Sequence, residues 1–395
     1  MNYTKPYVFC LIALSSLIAM TADAYDVMGV DVHGFASQGF MQTTRENPWP
    51  IADSADGTFH FNDFGINAAK QITPDFHLGM QLFAQDRGAY GKDEVLIDWA
   101  FGDYRLVDWL GLRIGKIKMP KGLYNETRDN DVLRTFIFLP QGFYSDAQRE
   151  SEIALTGGGL YGAVPAGGIG SFSYEAQIGE LTFYSRGGIA NQFKFFGFTD
   201  ITGIHSGTTG AYSLEWRPPV EGLRIVGSGM RTTIDVSAEA IPYPGSYPFP
   251  VSMQLEKLTR RNLSVEYTTG SLIVAAEYSR SDTQIMIDGM PPIAYKPRTY
   301  YFSADYRFTD QFDLGGYYSI FHMNRDDWSL YYADKPDYTT WQNDLALCLR
   351  FDLNKYTVLK IEEHYLDGSA LIDLADLATT KRYWHLTAAK LTFSF

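Results

Sequence analysis

The sequence predicts an all-β fold: a transmembrane antiparallel β-barrel of about sixteen strands, with short periplasmic turns and long extracellular loops. Three observations lead to it. The chain closes on an alternating strand with an aromatic last residue, the same alternation recurs in runs of about ten residues, and short and long connections take turns between those runs.

The last strand sets the pattern. Phe395, Phe393, Leu391 and Ala389 fall on one parity, and Ser394, Thr392, Lys390 and Ala388 on the other. Successive side chains of a strand point to opposite faces, so this strand is apolar on one side and polar on the other. Five further runs repeat it. Phe76, Leu78, Met80, Leu82 and Ala84 alternate with His77, Gly79, Gln81 and Gln85. Phe172, Tyr174, Ala176 and Ile178 alternate with Ser171, Ser173, Glu175 and Gln177. Leu263, Val265 and Tyr267 alternate with Ser264, Glu266 and Thr268. Tyr300, Phe302, Ala304, Tyr306 and Phe308 alternate with Ser303, Asp305 and Arg307, and Leu345, Leu347, Leu349 and Phe351 with Asp344, Cys348, Arg350 and Asp352. A soluble sandwich also alternates, but its strands are typically about five or six residues long. A tilted membrane strand needs about nine or more. The pattern therefore places Leu78, Val265, Phe302 and Leu347 toward lipid and Gln81, Glu266, Asp305 and Arg350 toward the lumen.

The connections supply the strand number. Seven are tight and rich in turn formers: 73–75, 107–108, 164–168, 218–222, 268–271, 309–311 and 353–355. Eight longer polar stretches alternate with them, near 43–58, 87–93, 119–150, 181–207, 232–259, 282–297, 324–339 and 366–382. Eight loops and seven turns give sixteen strands, with room for a hidden hairpin in 181–207 or 232–259. The first strand is expected near Met28 and the last ends at Phe395, so residues 25–395 read as one barrel without plug or appended domain. A barrel of this strand number is too wide for its own side chains to fill and encloses an aqueous channel.

Composition and the amino terminus agree. Lys5, the apolar stretch from Tyr7 to Met20 and the small-x-small triplet Ala22-Asp23-Ala24 predict a cleaved signal peptide over residues 1–24. That stretch is shorter than the roughly 20 residues a membrane helix needs. Aromatic residues make up 15% of the chain, with 27 Tyr and 26 Phe, the excess that barrels place in girdles at the lipid interfaces. Beyond the signal a single cysteine, Cys348, remains, which excludes a disulfide framework. A net charge of −13 argues against a nucleic-acid partner.

This organisation resembles the sixteen-stranded trimeric porins of Gram-negative outer membranes. The sharpest residues are Phe395, Phe393 and Leu391, which match that family's carboxyl-terminal assembly signal, although Ala388-Ala389 stands where a glycine often precedes the aromatic pair. The resemblance implies a third long loop folded into the channel as a constriction. Residues 119–150 are the longest loop, as it requires, but they lack the family's acidic Pro-Glu-Phe-Gly type motif, so its selectivity does not carry over.

The candidate constriction charges are Lys121, Glu126, Arg128, Asp129, Asp131, Arg134, Asp146, Arg149 and Glu150. Opposed rows of charge inside a pore set up a transverse field that sorts solutes. Lumen parity adds wall charges of both signs: Arg87, Arg113, Glu152, Glu175, Glu215, Arg217, Arg224, Glu266, Glu277, Asp305, Arg307, Arg350, Asp352, Lys360 and Glu362. Lys116 and Lys118 fall on the lipid parity near the outer rim. On this reading, neutralising Arg128 and Arg134 favours cations and neutralising Asp129 and Asp131 favours anions.

Other motifs carry less. The Pro/Tyr-rich segment 241–250 reads as a stiff surface loop, with an aromatic platform as the alternative. For catalysis the neighbouring candidates are His205 with Ser206 and His364 with Glu362, too little for an enzyme. Asp326-Asp327 and Asp373 with Asp376 are weak calcium candidates, and neither a metal nor a cofactor is expected. The function expected is passive diffusion of small hydrophilic solutes and ions through a homotrimer. Its partners are outer-membrane lipid, lipopolysaccharide and the outer-membrane assembly machinery. The alternatives are a barrel hydrolase and a surface adhesin or receptor.

Overall fold

The computed structural model describes residues 25–26, 29–44, 46–50, 53–88, 91–184, 187–195, 198–240, 247–323, 335–372 and 379–395. Sixteen strands close into one antiparallel barrel. They are β1 (Asp31–Thr43), β2 (Asn62–Thr73), β3 (Phe76–Asp86), β4 (Leu96–Val107), β5 (Leu110–Lys118), β6 (Ala154–Pro165) and β7 (Ser171–Glu180). β8 comprises Phe198–Ser206 and Thr209–Arg217, which pair in turn with the upper and lower parts of β9 (Leu223–Ala240). Then come β10 (Phe249–Thr269), β11 (Leu272–Ile287) and β12, whose parts Ile293–Tyr295 and Arg298–Thr309 both pair with β11. β13 (Phe312–His322), β14 (Trp341–Asn354), β15 (Thr357–Gly368) and β16 (Tyr383–Ser394) complete the wall. β16 pairs with β1 from Leu386↔Thr43 to Ser394↔Phe35, which removes both sheet edges. Tyr25–Asp26 adds a two-residue pairing to β1.

The alternation read from the sequence sorts by burial. Leu78, Leu263, Phe302, Tyr318 and Leu347 are exposed large apolar residues on the outward parity. Gln81, Ser264, Asp344, Lys360 and Lys390 are buried polar residues on the inward one. All seven predicted tight turns lie between adjacent antiparallel strands. The predicted loops 232–259 and 282–297 are largely strand, and 181–207 is partly so. Within 232–259 the structure continues β9 to Ala240 and starts β10 at Phe249, and within 181–207 it places helix α1 (Gly188–Phe195) and the first part of β8.

These extensions stand outside the lipid-facing band and invert its polarity. On β9, Ile234, Val236 and Ala238 are buried while Asp235 and Ser237 are exposed. The inner apolar face packs with Val251, Met253, Leu258 and Ile285, and with Phe183 and Phe193 of the loop carrying α1. Water on the outside and a packed layer inside explain why a polar outer row reads as a loop in the sequence.

Candidate functional site

The third loop, residues 119–153, is folded against the inner wall. The Met119 N–H donates to the Ile153 carbonyl at 2.9 Å and closes its base. Its apolar run is the reason for the direction. Phe136 meets Tyr317 at a ring distance of 5.3 Å and packs with Ala346 and Cys348. Phe138 stacks on Phe61 at 5.2 Å and shares a buried cluster with Ile137 and Trp384. Leu139, Phe143 and Tyr144 cluster with Tyr301, and Leu123 with Val226 and Ala275. Outside the barrel these side chains would face water.

Polar contacts fix the position. On the β9–β11 side, the Gly122 N–H donates to Ser228 Oγ at 3.0 Å, the Leu123 N–H to Glu277 Oε1 at 2.7 Å and the Tyr124 hydroxyl to Glu266 Oε2 at 2.8 Å. On the far side, Thr135 Oγ1 donates to Asp305 at 3.1 Å and Arg350 to the Arg134 carbonyl at 2.8 Å. The Ile137 and Phe138 N–H groups donate to the two Glu362 oxygens at 2.6 and 3.1 Å. Lys360 Nζ donates to the carbonyls of Asp131 and Phe136 at 2.7 and 3.0 Å. Asp131 itself pairs with Lys390 at 2.5 Å and Arg134 at 2.7 Å and accepts from Thr392, while Lys390 also reaches Asp63, the partner of Arg87.

The near end of the loop is braced in the same way. Glu152 bonds Lys121 and Arg260, and Arg128 bonds Asp146 at 3.1 Å. Arg149 bridges Asp98 and Asp129, both at 2.7 Å, and Lys118 reaches Asp129 at 2.8 Å. Glu150 accepts the N–H groups of Tyr184 and Ile189, tying the third loop to α1. Burial pushes Glu150 up to about 7 and Lys121 down to about 7. Against burial, which would raise them, Arg149 and Lys118 hold the Asp129 carboxyl well below the usual range, and Lys390 and Lys360 do the same for Asp131.

The structure places most constriction candidates in buried or half-buried ion pairs. Lys121, Arg128, Asp131 and Glu150 are buried. Asp129, Arg134, Asp146 and Arg149 are half-buried and ion-paired. Of the nine, Glu126 alone is exposed. Lys118, expected toward lipid, is drawn to the loop's Asp129, whereas Lys116 bonds the Ile97 carbonyl and the Tyr184 hydroxyl.

Facing the loop, β4–β7 carry a second polar group. Arg113 pairs with Asp103 at 2.7 Å and Glu175 at 3.5 Å and lies over the rings of Tyr161 and Phe101 at 4.4 and 5.3 Å. Glu126 is within electrostatic reach of both Arg113 and Glu175. Further round, Arg224 joins Glu266 and Glu215, and Arg307 joins Asp313 and Asp352. Arg217 is bonded to Glu215.

Sequence reasoning did not single out Asp63, Asp98, Asp344 or Lys390 among the wall charges. Lys390 carries the lumen parity of β16, the signal that would have found it, but its partner Asp131 is 259 positions away (390 − 131). Of the catalytic candidates, His364 and Glu362 meet, but in the interior and not at a rim. His364 is buried with Asp344 at Nδ1 and Glu362 at Nε2, both at 2.9 Å, and Glu362 is already engaged by the loop. Ser206 Oγ accepts the Leu181 N–H at 2.7 Å. Among the described residues no cluster suited to a metal occurs, and Asp326, Asp327, Asp373, Asp376 and residues 241–246 lie outside them.

No family model matches the sequence, and no curated protein matches it. Solved structures do match. The outer-membrane expressed OmpT of Vibrio cholerae superposes with a TM-score of 0.59 at 10% identity, over 94% of this chain and 100% of that one. The outer membrane channel DcaP of Acinetobacter baumannii gives 0.58 at 8% identity, over 95% and 100%. An anion-selective porin from Comamonas acidovorans gives 0.57 at 11% identity, over 93% and 99%. At these identities the likeness speaks to architecture, and together with the closed sixteen-stranded wall it shows that the chain has the fold of the outer-membrane porins.

Proposed function

We propose that this protein is an outer-membrane diffusion channel for small hydrophilic solutes and ions, exported by a cleaved signal peptide and assembled as a homotrimer. The observation that carries the reading is the third loop, braced along the lumen wall by buried ion pairs and lying opposite a separate polar group on β4–β7. An adhesin or receptor has no need of a loop fixed inside its barrel, and the buried His364 offers a hydrolase no free base. One solved form of the Vibrio OmpT is described as a trimer, in keeping with the assembly proposed. The channel needs neither cofactor nor catalysis.

The facing group sets the preference. Asp103 and Glu175 of the wall, with Glu126 of the loop, stand against Arg113 and Arg105, three negative charges minus two positive, or −1 net. In a narrow, low-dielectric passage such an excess attracts cations. Conductance of the purified protein in a planar bilayer tests the reading; correctly folded, inserted protein that leaves the membrane insulating would end it. In a salt gradient, Glu126→Gln is expected to move the reversal potential toward anions and Arg113→Gln further toward cations. Unchanged potentials in both variants would place the selecting charges elsewhere.

A further inference from the structure

The outward face of β10–β13 carries a row of basic residues at one level. Arg261 of β10 is directly opposite Arg280 of β11, Arg280 opposite Arg298 of β12, and Arg298 opposite His322 of β13. Arg231 of β9 lies beside the row, two positions beyond Gly229, which pairs with Arg261. Arg231, Arg261, Arg298 and His322 are exposed. Strands are spaced about 4.8 Å apart, so the row spans roughly 15 Å.

Its height on the wall gives it meaning. The next outward row toward the membrane is Leu263, Tyr278, Tyr300 and Ile320, in continuous register. Below that come Val265, Ala276, Phe302 and Tyr318. The opposite direction leads to the polar outer surface of the extensions, with Asp235, Ser237 and Gln284. The basic residues thus mark the level where the outward face changes from apolar to polar, directly above a tyrosine-containing row.

Like charges opposite one another across a sheet destabilise it. Only Arg280 has a carboxylate beside it, Asp282 at 3.2 Å; among the described residues none pairs with Arg231, Arg261 or Arg298. An external anion has to lie here for the row to be favourable. At the edge of the apolar band, where charge-assisted bonds strengthen, Arg forks match phosphate.

We infer that this row is a binding site for the phosphorylated headgroup of an outer-leaflet glycolipid, with the acyl chains lying down the Tyr278–Tyr300–Phe302 surface. The inference rests on the outer-membrane reading but not on conduction. The test titrates the full-length protein in non-ionic detergent with diphosphoryl lipid A, monophosphoryl lipid A and inorganic phosphate, followed by native mass spectrometry. Diphosphoryl lipid A is expected to bind best. R261Q/R298Q is expected to weaken it roughly thirty-fold, since each cation near an anionic lipid surface contributes comparably. R261K/R298K, which keeps the charge, should stay within about threefold of wild type. R105Q, at the other end of the wall, should not change it. Equal binding by wild type and R261Q/R298Q, or equal affinity for the two lipid A forms, overturns the site. Displacement of the lipid by millimolar inorganic phosphate would assign it to free phosphate and overturn the lipid. Bilayer conductance of R261Q/R298Q, expected to match wild type, keeps the fate of the channel reading separate.

Discussion

Replacing Asp131 by alanine is expected to release the third loop from the far wall and to raise single-channel conductance severalfold, with larger current noise. Asp131 is 2% exposed and gathers Lys390, Lys360 and Arg134, while Thr392 donates to it. Its removal leaves Lys360 and Lys390, both buried, short of a counter-charge. Breaking a buried ion pair on one side costs about 3–5 kcal/mol, more than most single contacts along this loop can offset. Lys390 retains Asp63 at 2.8 Å, so the strands themselves should hold and the loss should fall on the loop. The double variant D131N/K390M should conduct more like wild type than D131A does, because it removes both signs together. Bilayer recordings with a heat-modifiability assay check this. Unaltered conductance and unaltered denaturation temperature in D131A would mean that the apolar contacts of Phe136, Phe138 and Phe143 alone fix the loop.

The same geometry shows which parts of the molecule the sequence made legible. Period two is a local property, so Leu347 and Phe302 outward and Gln81 and Lys390 inward follow from neighbours in the chain. The turns were equally local, as in Thr73-Pro74-Asp75 between β2 and β3. What the sequence hid were relations across the lumen. Asp131 reads as a constriction charge until Lys390 of the wall is placed beside it. Parity also identifies an inward face without saying whether water or a folded-in loop covers it. Glu362 and Lys360 therefore read as channel wall, although they bond the loop backbone. The extensions of β9–β11 misled for another reason: their outer face is polar because it stands above lipid, and polarity is what marks a loop.

Deleting Phe395 is expected to cut the yield of inserted, heat-modifiable barrel by about tenfold or more, since every other strand pairing depends on closing this one. The residue does more than end the chain. Its N–H donates to the Gly34 carbonyl at 2.9 Å, and the Gly34 N–H returns a bond to its carbonyl at 3.0 Å. Its ring lies over Gly34, where a Cβ would come within 2.6 Å of it. The last residue therefore seals the seam between β16 and β1, the one pairing that joins the two ends of the chain. Phe395→Tyr keeps ring and backbone and should assemble normally. Phe395→Asp puts a charge at the lipid-facing seam and should fail as the deletion does. Gly34→Val tests the seam from the other strand: it leaves the carboxyl terminus intact but takes the place of the ring. If Gly34→Val assembles fully while the deletion fails, Phe395 acts as a recognition signal for assembly rather than through packing. If the deletion itself inserts at wild-type levels, neither role holds, and closure rests on the pairings from Leu386↔Thr43 to Ser394↔Phe35 alone.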